Sequence, residues 1–365
     1  MKYQNLLIIL FSAFWLPCIA QDVNITSTTL LGEMKEYGVD INNDGKIQVW
    51  EAEARKSLEI VNYSIADFTG LEAFIKLENL NIQGNSLTNF DFSPLKKLRK
   101  LNLSYNQFTQ IDLSKNQNLD TLIIKNNQLT VLNITALLNL KYLDASFNTL
   151  NSIDLINSKN LQHLNLNFNQ IDKINCTNLD SIRYLSLYNL PIRSIDLNKC
   201  LNINTLYLSK TKIKALDIDK NIKISFIEVS SIDSLSSLNL SNQKNLSFVN
   251  VLNTPLLLEV CLSDTNLVNS SNFLKDAQCK WKMNCINGLE EQQSISNQLF
   301  YPNPSSQYLT IHSSVKRVTI FDNKGLTIIS TENFPINISK FSKGIYTLKI
   351  ELLNRDYFTE KLIID

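Results

Sequence analysis

The chain has 365 residues, a formal net charge of +1 and no basic tract, so it lacks the electrostatic footprint of a nucleic-acid binder. It holds only 8 glycines and 2 histidines, His163 and His312, which argues against glycine-rich phosphate cradles and most histidine-dependent hydrolase or zinc chemistry. The length is enough for two or three domains.

In chain order, residues 1–20 come first. Lys2, an apolar run from Leu6 to Leu16 and small residues at Cys18 and Ala20 read as a secretory signal peptide, with cleavage expected between Ala20 and Gln21. A lipid anchor on Cys18 is the rival, and Pro17 fits it poorly. No later segment is long and apolar enough to span a bilayer, so the mature chain is expected to have no transmembrane segment.

Residues 40–51 read DINNDGKIQVWE. Asp40, Asn42 and Asp44 alternate, Gly45 follows and Glu51 closes the run, which is the spacing of a calcium-binding EF-hand loop. Side-chain oxygens would come from Asp40, Asn42, Asp44 and Glu51, with the carbonyl of Lys46, and with Gln48 acting through water. Leu30, Leu31, Met34 and Tyr37 precede the loop at helical spacing, and VWEAEARKSL after it reads as a second helix. A single loop before a repeat array suits a structural cap over 21–57 better than a calcium switch.

The array itself has a period of 21: LENLNIQGNSL starts at Leu77, and copies start at Leu98, Leu119, Leu140 and Leu161. Less regular copies follow from Ile182, Ile203 and Ile224, and one extra residue moves the next start to Leu246. In LQHLNLNFNQI, Leu164 and Leu166 alternate with polar residues and should point inward from a short strand, with Asn169 at the turn. Asn85, Asn106, Asn127, Asn148 and Asn169 should stack as a ladder that satisfies turn backbone. The ladder is replaced by Leu190, Thr211, Ile232 and Thr254 further on, so the later copies should be less regular. Over 58–262 the chain resembles the leucine-rich repeat family. The resemblance implies a parallel β solenoid with a largely non-helical convex side and capped ends.

A cysteine-containing cap is expected over 263–287, where the period breaks and Cys279, Cys285 and Trp281 follow closely on Cys261. Resemblance to repeat proteins with a terminal cysteine cap favours a Cys261–Cys285 disulfide; Cys261–Cys279 stays open, because sequence does not set connectivity. Cys176 falls in an inner apolar slot and reads as a small buried hydrophobe.

After a polar linker at 288–297, residues 298–365 read as short antiparallel strands, expected to form an all-β, Ig-like sandwich. The segment carries Pro302-Asn303-Pro304 after Tyr301, an Asp322–Gly325 turn, Gly344-Ile345-Tyr346, and Lys361 before a final apolar run. These motifs resemble the type A C-terminal sorting domain of type IX secretion cargo. That resemblance implies export through the periplasm, recognition of 298–365 by the type IX machinery at the outer membrane, and delivery to the cell surface or medium.

Outward strand positions should line the concave face. Aromatics gather there from the second copy onward: Tyr142, His163, Tyr184, Tyr188, Tyr207 and Phe226 are the candidate ligand-binding residues, with Phe248 in the slot of Tyr142 and with Tyr105, Phe147 and Phe168 in neighbouring outward slots. An aromatic row that the core does not need points to a protein or glycan ligand, as in an adhesin. A self-associating surface-layer component without an outside ligand is the alternative. An enzyme is not expected, because no Ser/His/Asp set, zinc spacing or isolated carboxylate pair stands out, and Asp112, Asp154 and Asp196 repeat with the scaffold as turn residues.

Overall fold

The structure is a computed structural model that describes residues 21–263, 271–283, 300–301, 307–311, 315–352 and 357–364. The expected signal peptide and linker, Cys285, and the Pro302-Asn303-Pro304 motif lie outside these residues. The chain divides into two compact units, one up to Asn284 and one from Cys285 onward.

The first unit is built on one parallel sheet of eleven short strands that runs in chain order from Ser57–Glu59 to Phe273–Lys275. Its register is the sequence period made physical: Asn79 pairs with Lys100, Tyr142 with His163, and His163 with Tyr184. The three-residue strands from Ser57–Glu59 to Phe226–Glu228 each bury the central side chain, such as Leu80, Leu143 and Leu164, between flanking residues that are mostly less buried. One turn alone has no second layer to bury that face, so stacking makes the core. Leucines and isoleucines from Leu58 to Leu262 form a single apolar cluster. Burial of each stabilises the fold by about 1.5–3 kcal/mol before chain entropy is counted.

The asparagine ladder ends each strand. Asn148 donates from Nδ2 to the carbonyls of Ile124 (3.0 Å) and Ala145 (3.1 Å), and its Oδ1 accepts the Leu129 N–H at 3.0 Å. Asn85, Asn106, Asn127 and Asn169 repeat that pattern. Each ties its own turn to two points of the preceding one, which no apolar residue does.

The back of the coil is turn-like in the early copies, as the resemblance implied. In the later ones it gains a second parallel sheet, in the order Lys280–Lys282, Glu259–Leu262, Ser237–Leu240, Ala215–Leu216. The main sheet also continues to Phe273–Lys275, and Phe273 packs edge-on to Trp281 at 6.1 Å. The region expected to be only a cap thus contributes strands to both sheets. The signal was hidden because its apolar spacing departs from the 21-residue register.

At the other end, helices span Thr28–Glu36 and Val49–Ala54, and Leu30, Met34 and Ala52 join the repeat core. The second helix is shorter than its sequence suggests. Arg55 is extended, and Ser57–Glu59 is taken up as the first strand of the sheet. Ladder pairing outweighs the weak helical preference there. Cys261 is disulfide-bonded, and its partner, like Cys285, lies outside the described residues. Cys279 keeps a free, buried thiol.

The second unit has two antiparallel sheets. One orders Phe300–Tyr301, Tyr308–Ile311 and Ile336–Asn337; the other orders Thr327–Thr331, Val315–Phe321, Gly344–Leu352 and Tyr357–Ile364. Alternation of buried and exposed residues, as in Tyr346, Leu348 and Ile350, gives each strand one inner face. Residues of both sheets, including Leu309, Ile336, Val318 and Leu348, share one apolar cluster.

Candidate functional site

The strand register places the candidate aromatics above one another. Tyr142 and His163 stack with ring centroids 4.1 Å apart and planes 9° from parallel; His163 and Tyr184 stack at 4.0 Å and 7°. Thr205 occupies the next slot and would interrupt the row. Tyr207, two residues further along the same strand, fills the gap, with its ring 5.6 Å from Tyr184 and 5.0 Å from Phe226. Phe226 then stacks on Phe248 at 4.3 Å and 6°. Five of the six candidates therefore lie in one continuous row, which Phe248 extends.

Tyr188 does not belong to it. It lies in a second row, where Phe147 stacks on Phe168 at 4.3 Å, and Phe168 meets Tyr188 at 5.1 Å. Lys210 sits over the Tyr188 ring at 5.3 Å, and Lys125 over Tyr105 at 5.6 Å. These lysines escaped sequence reasoning, although Lys210 recurs at the 21-residue interval of Phe147 and Phe168. The backbone at this slot is left-handed: φ is +70° at Gly84, +56° at Tyr105, +54° at Phe147 and +55° at Phe168. Such a conformation costs a non-glycine residue roughly 1–2 kcal/mol, and Asn126 and Asn189 show the less costly choice at the same slot. Tyr105, Phe147 and Phe168 are nevertheless large and exposed.

The first row is half-buried, and its electrostatics follow from that. Burial pushes the His163 imidazole below its ordinary value, against a smaller opposing pull from Asp144. Burial likewise raises the Tyr142 and Tyr184 phenols. At neutral pH the row is therefore uncharged. A polar cleft of about 500 Å³ lies elsewhere, lined by residues such as Glu78, Arg99, Asp120 and Lys141. The Arg99–Asp120 ion pair crosses it at 2.9 Å.

The loop at 40–51 is tightly organised. Glu51 is fully buried; its Oε1 accepts the Ile41 and Asn42 N–H groups, and its Oε2 accepts that of Gln48. Asp40 accepts the Asp44 and Gly45 N–H groups, and Gly45 sits at φ +88°. The Lys46 N–H and the Gln48 amide hold the Asp44 carboxyl below its usual range. The amides of Asn42 and Gln48 both donate to Asp44 Oδ2, at 3.1 and 2.9 Å. Among the described residues no three His, Cys, Asp or Glu side chains converge as a metal site. The donor chemistry still fits a hard cation, because every side-chain ligand offers oxygen.

The sorting-motif residues within the described part have visible roles. Asp322 Oδ1 accepts the N–H groups of Lys324 and Leu326, which closes the turn that Gly325 completes at φ +79°. Tyr346 turns inward, donates to the Ser342 carbonyl at 2.7 Å and packs on Phe341. Gly344 opens its strand, and Lys361 pairs with Thr347 across the sheet.

Residues 299–365 match the secretion system C-terminal sorting domain family. The chain therefore ends in a sorting domain for export, as the motif resemblance implied. Among solved structures, an internalin, InlF, from Listeria monocytogenes is similar at 19% identity, over 74% of this chain and 99% of that one, with a TM-score of 0.54. An internalin C2 of the same organism is 21% identical over 61% of this chain and 92% of its own, with a TM-score of 0.44. An LRR protein of Leptospira interrogans is 19% identical over 58% and 74%, with a TM-score of 0.37. No curated protein matches the chain. The likeness to InlF is one of fold alone. Together with the sorting-domain match, it describes a chain with a leucine-rich repeat fold followed by a C-terminal export sorting domain. No helix among the described residues is long and apolar enough to cross a membrane.

Proposed function

We propose that this protein is a non-enzymatic binding protein that type IX secretion delivers to the cell surface or medium, and that it holds a ligand on the concave face of its repeats. The observation that carries this reading is the pair of aromatic rows, above all Tyr105, Phe147 and Phe168 on left-handed backbone. Asparagine or glycine would cost less there, so the fold alone gives no reason for large exposed rings. The stacking also bears on the class of ligand. A sugar packs on the flat face of a ring, and in this row both faces of His163 and one face each of Tyr142 and Tyr184 are taken up by ring stacking. That leaves less open ring face for a sugar and favours a protein partner over a glycan. The test is capture with the full-length chain from material of the organism's own surroundings, beside a glycan array. A protein captured by the native chain and lost with Phe147→Asn and Phe168→Asn together supports the reading; retention by that double variant overturns the site.

In this reading calcium is a structural ion of the N-terminal cap. Asp40, Asn42, Asp44 and Glu51 would hold it through side-chain oxygens, Lys46 through its carbonyl, and Gln48 through water. The ion would supply positive charge to the carboxylates of the loop, and Glu51 already accepts the N–H groups of Ile41 and Gln48. The Cys261–Cys285 bridge and an Ig-like arrangement of the sorting domain belong to the same proposal.

A further inference from the structure

The four-stranded sheet of the sorting domain carries an outward apolar strip that its own core does not use. In the register, Ile345 lies directly opposite Ile363, and Phe321 lies opposite both Thr347 and Thr327. Antiparallel partners project to the same side, so Phe321, Ile345 and Ile363 share the outer face, and Ile328 joins them from the neighbouring strand. Leu326 sits at the turn beside them. Leu326 is 65% exposed, Ile345 59%, Ile328 44% and Ile363 39%. None of the five belongs to the apolar cluster of the unit. The strip crosses all four strands at one end of the sheet.

Its borders are the sorting-motif residues. Asp322 and Gly325 form the turn that lifts Leu326 out, Gly344 precedes Ile345, and Lys361 lies on the same face two residues before Ile363. These residues are poorly explained by packing, since only Tyr346 of the described motif residues enters the core. They are well explained as the frame of a recognition surface. Lys324 and Lys343 are exposed, the first in the turn before Leu326 and the second directly before Gly344.

We propose that this strip is the surface by which the sorting domain is held during export, and that its occupant is a protein of the secretion machinery with an apolar ridge bordered by acidic side chains. The inference rests on the export reading above and adds a place and a chemistry to it. A continuous exposed apolar strip in a soluble unit marks an interaction surface. The lysine margin sets the sign of the partner's rim and would speed the encounter.

The experiment follows delivery of the full-length chain in the producing cell. Leu326→Ser with Ile328→Ser, and separately Ile345→Ser, are expected to lower the delivered protein about tenfold and to leave uncleaved precursor in the periplasm. Lys343→Glu is expected to lower it less. Tyr308→Ser, 51% exposed on the other sheet, is expected to leave delivery unchanged. Protease resistance of the periplasmic precursor separates lost recognition from lost folding, and Leu326→Ser alone, at an exposed turn, is read if the double variant unfolds. Normal delivery of the strip variants, while deletion of 299–365 traps the chain, overturns the strip and leaves the export reading intact. Normal delivery of the deletion overturns the export reading itself. Equal blockage by Tyr308→Ser also overturns the strip, as would normal delivery together with a dimer that the strip variants dissociate.

Discussion

His163 and Tyr184, on adjacent turns and 21 residues apart, lie face to face with ring centroids 4.0 Å apart. Tyr142 covers the other face of the same imidazole. A charged imidazolium in this position would lose hydration without gaining a full counter-ion, although Asp144 gives partial compensation.

That geometry sets a pH dependence. The folded His163 titrates below the free value of about 6.5, so the unfolded chain takes up the proton first. The stability that neutral His163 contributes is intact above pH about 6.5 and declines as pH falls below it, until the lower folded value is passed. Melting temperature of the native chain should therefore drop more between pH 7.5 and 5 than that of His163→Phe, which keeps a ring in the stack and removes the titration. Parallel curves for the two proteins would contradict this account.

The same stack revises what truncating the row should do. Tyr142→Ala with Tyr184→Ala removes stacked partners on both sides of His163, at about 0.5–1.5 kcal/mol for each aromatic pair. We expect a modest loss of stability, about 1–3 kcal/mol, with the repeat core retained. Loss of a central anchor should cost about 2 kcal/mol or more in affinity for a captured ligand. Denaturant unfolding and binding titration measure the two separately. Unchanged affinity would move the site off this row.

The ladder makes the sharper demand on stability. Asn148→Ala strands the buried Leu129 N–H, while the Ile124 and Ala145 carbonyls each keep one amide donor, from Asn127 and Asn169. A cost of about 1–3 kcal/mol is expected, the range for one buried group left without a partner. The control is Asn157→Ala, because the Asn157 amide makes one exposed bond, to the Thr135 carbonyl. Losing it should change the unfolding free energy by well under about 1 kcal/mol. Equal losses in the two variants, measured by denaturant unfolding, would deny the ladder its special weight.

For the loop at 40–51, millimolar calcium should raise the melting temperature of the native chain by the equivalent of about 0.5–1.5 kcal/mol, as linkage gives for extracellular sites of about 10⁻⁴–10⁻³ M affinity. Asp44→Ala should abolish the increment. Equal melting in calcium and in chelator would remove the ion from the cap.

The sequence by itself determined the period, the inward leucines, the asparagine ladder and the sorting domain, because each is a local pattern repeated or ordered along the chain. A period of 21 forces equivalent residues into register, so Tyr142, His163 and Tyr184 fall on one row by spacing alone. Only the tertiary structure decided that their rings stack flat, that Tyr207 fills the gap left by Thr205, and that Tyr188 belongs to a different row. Ring orientation depends on neighbours one turn away and on backbone handedness, which a period does not encode. The strands beyond Leu262 and the early end of the second helix also waited for the structure, because pairing with a neighbouring strand outweighed the local signal in both places. The outward strip on the sorting domain is the clearest case. Phe321, Ile345 and Ile363 read as ordinary strand residues along the chain, and only antiparallel register brings them to one face.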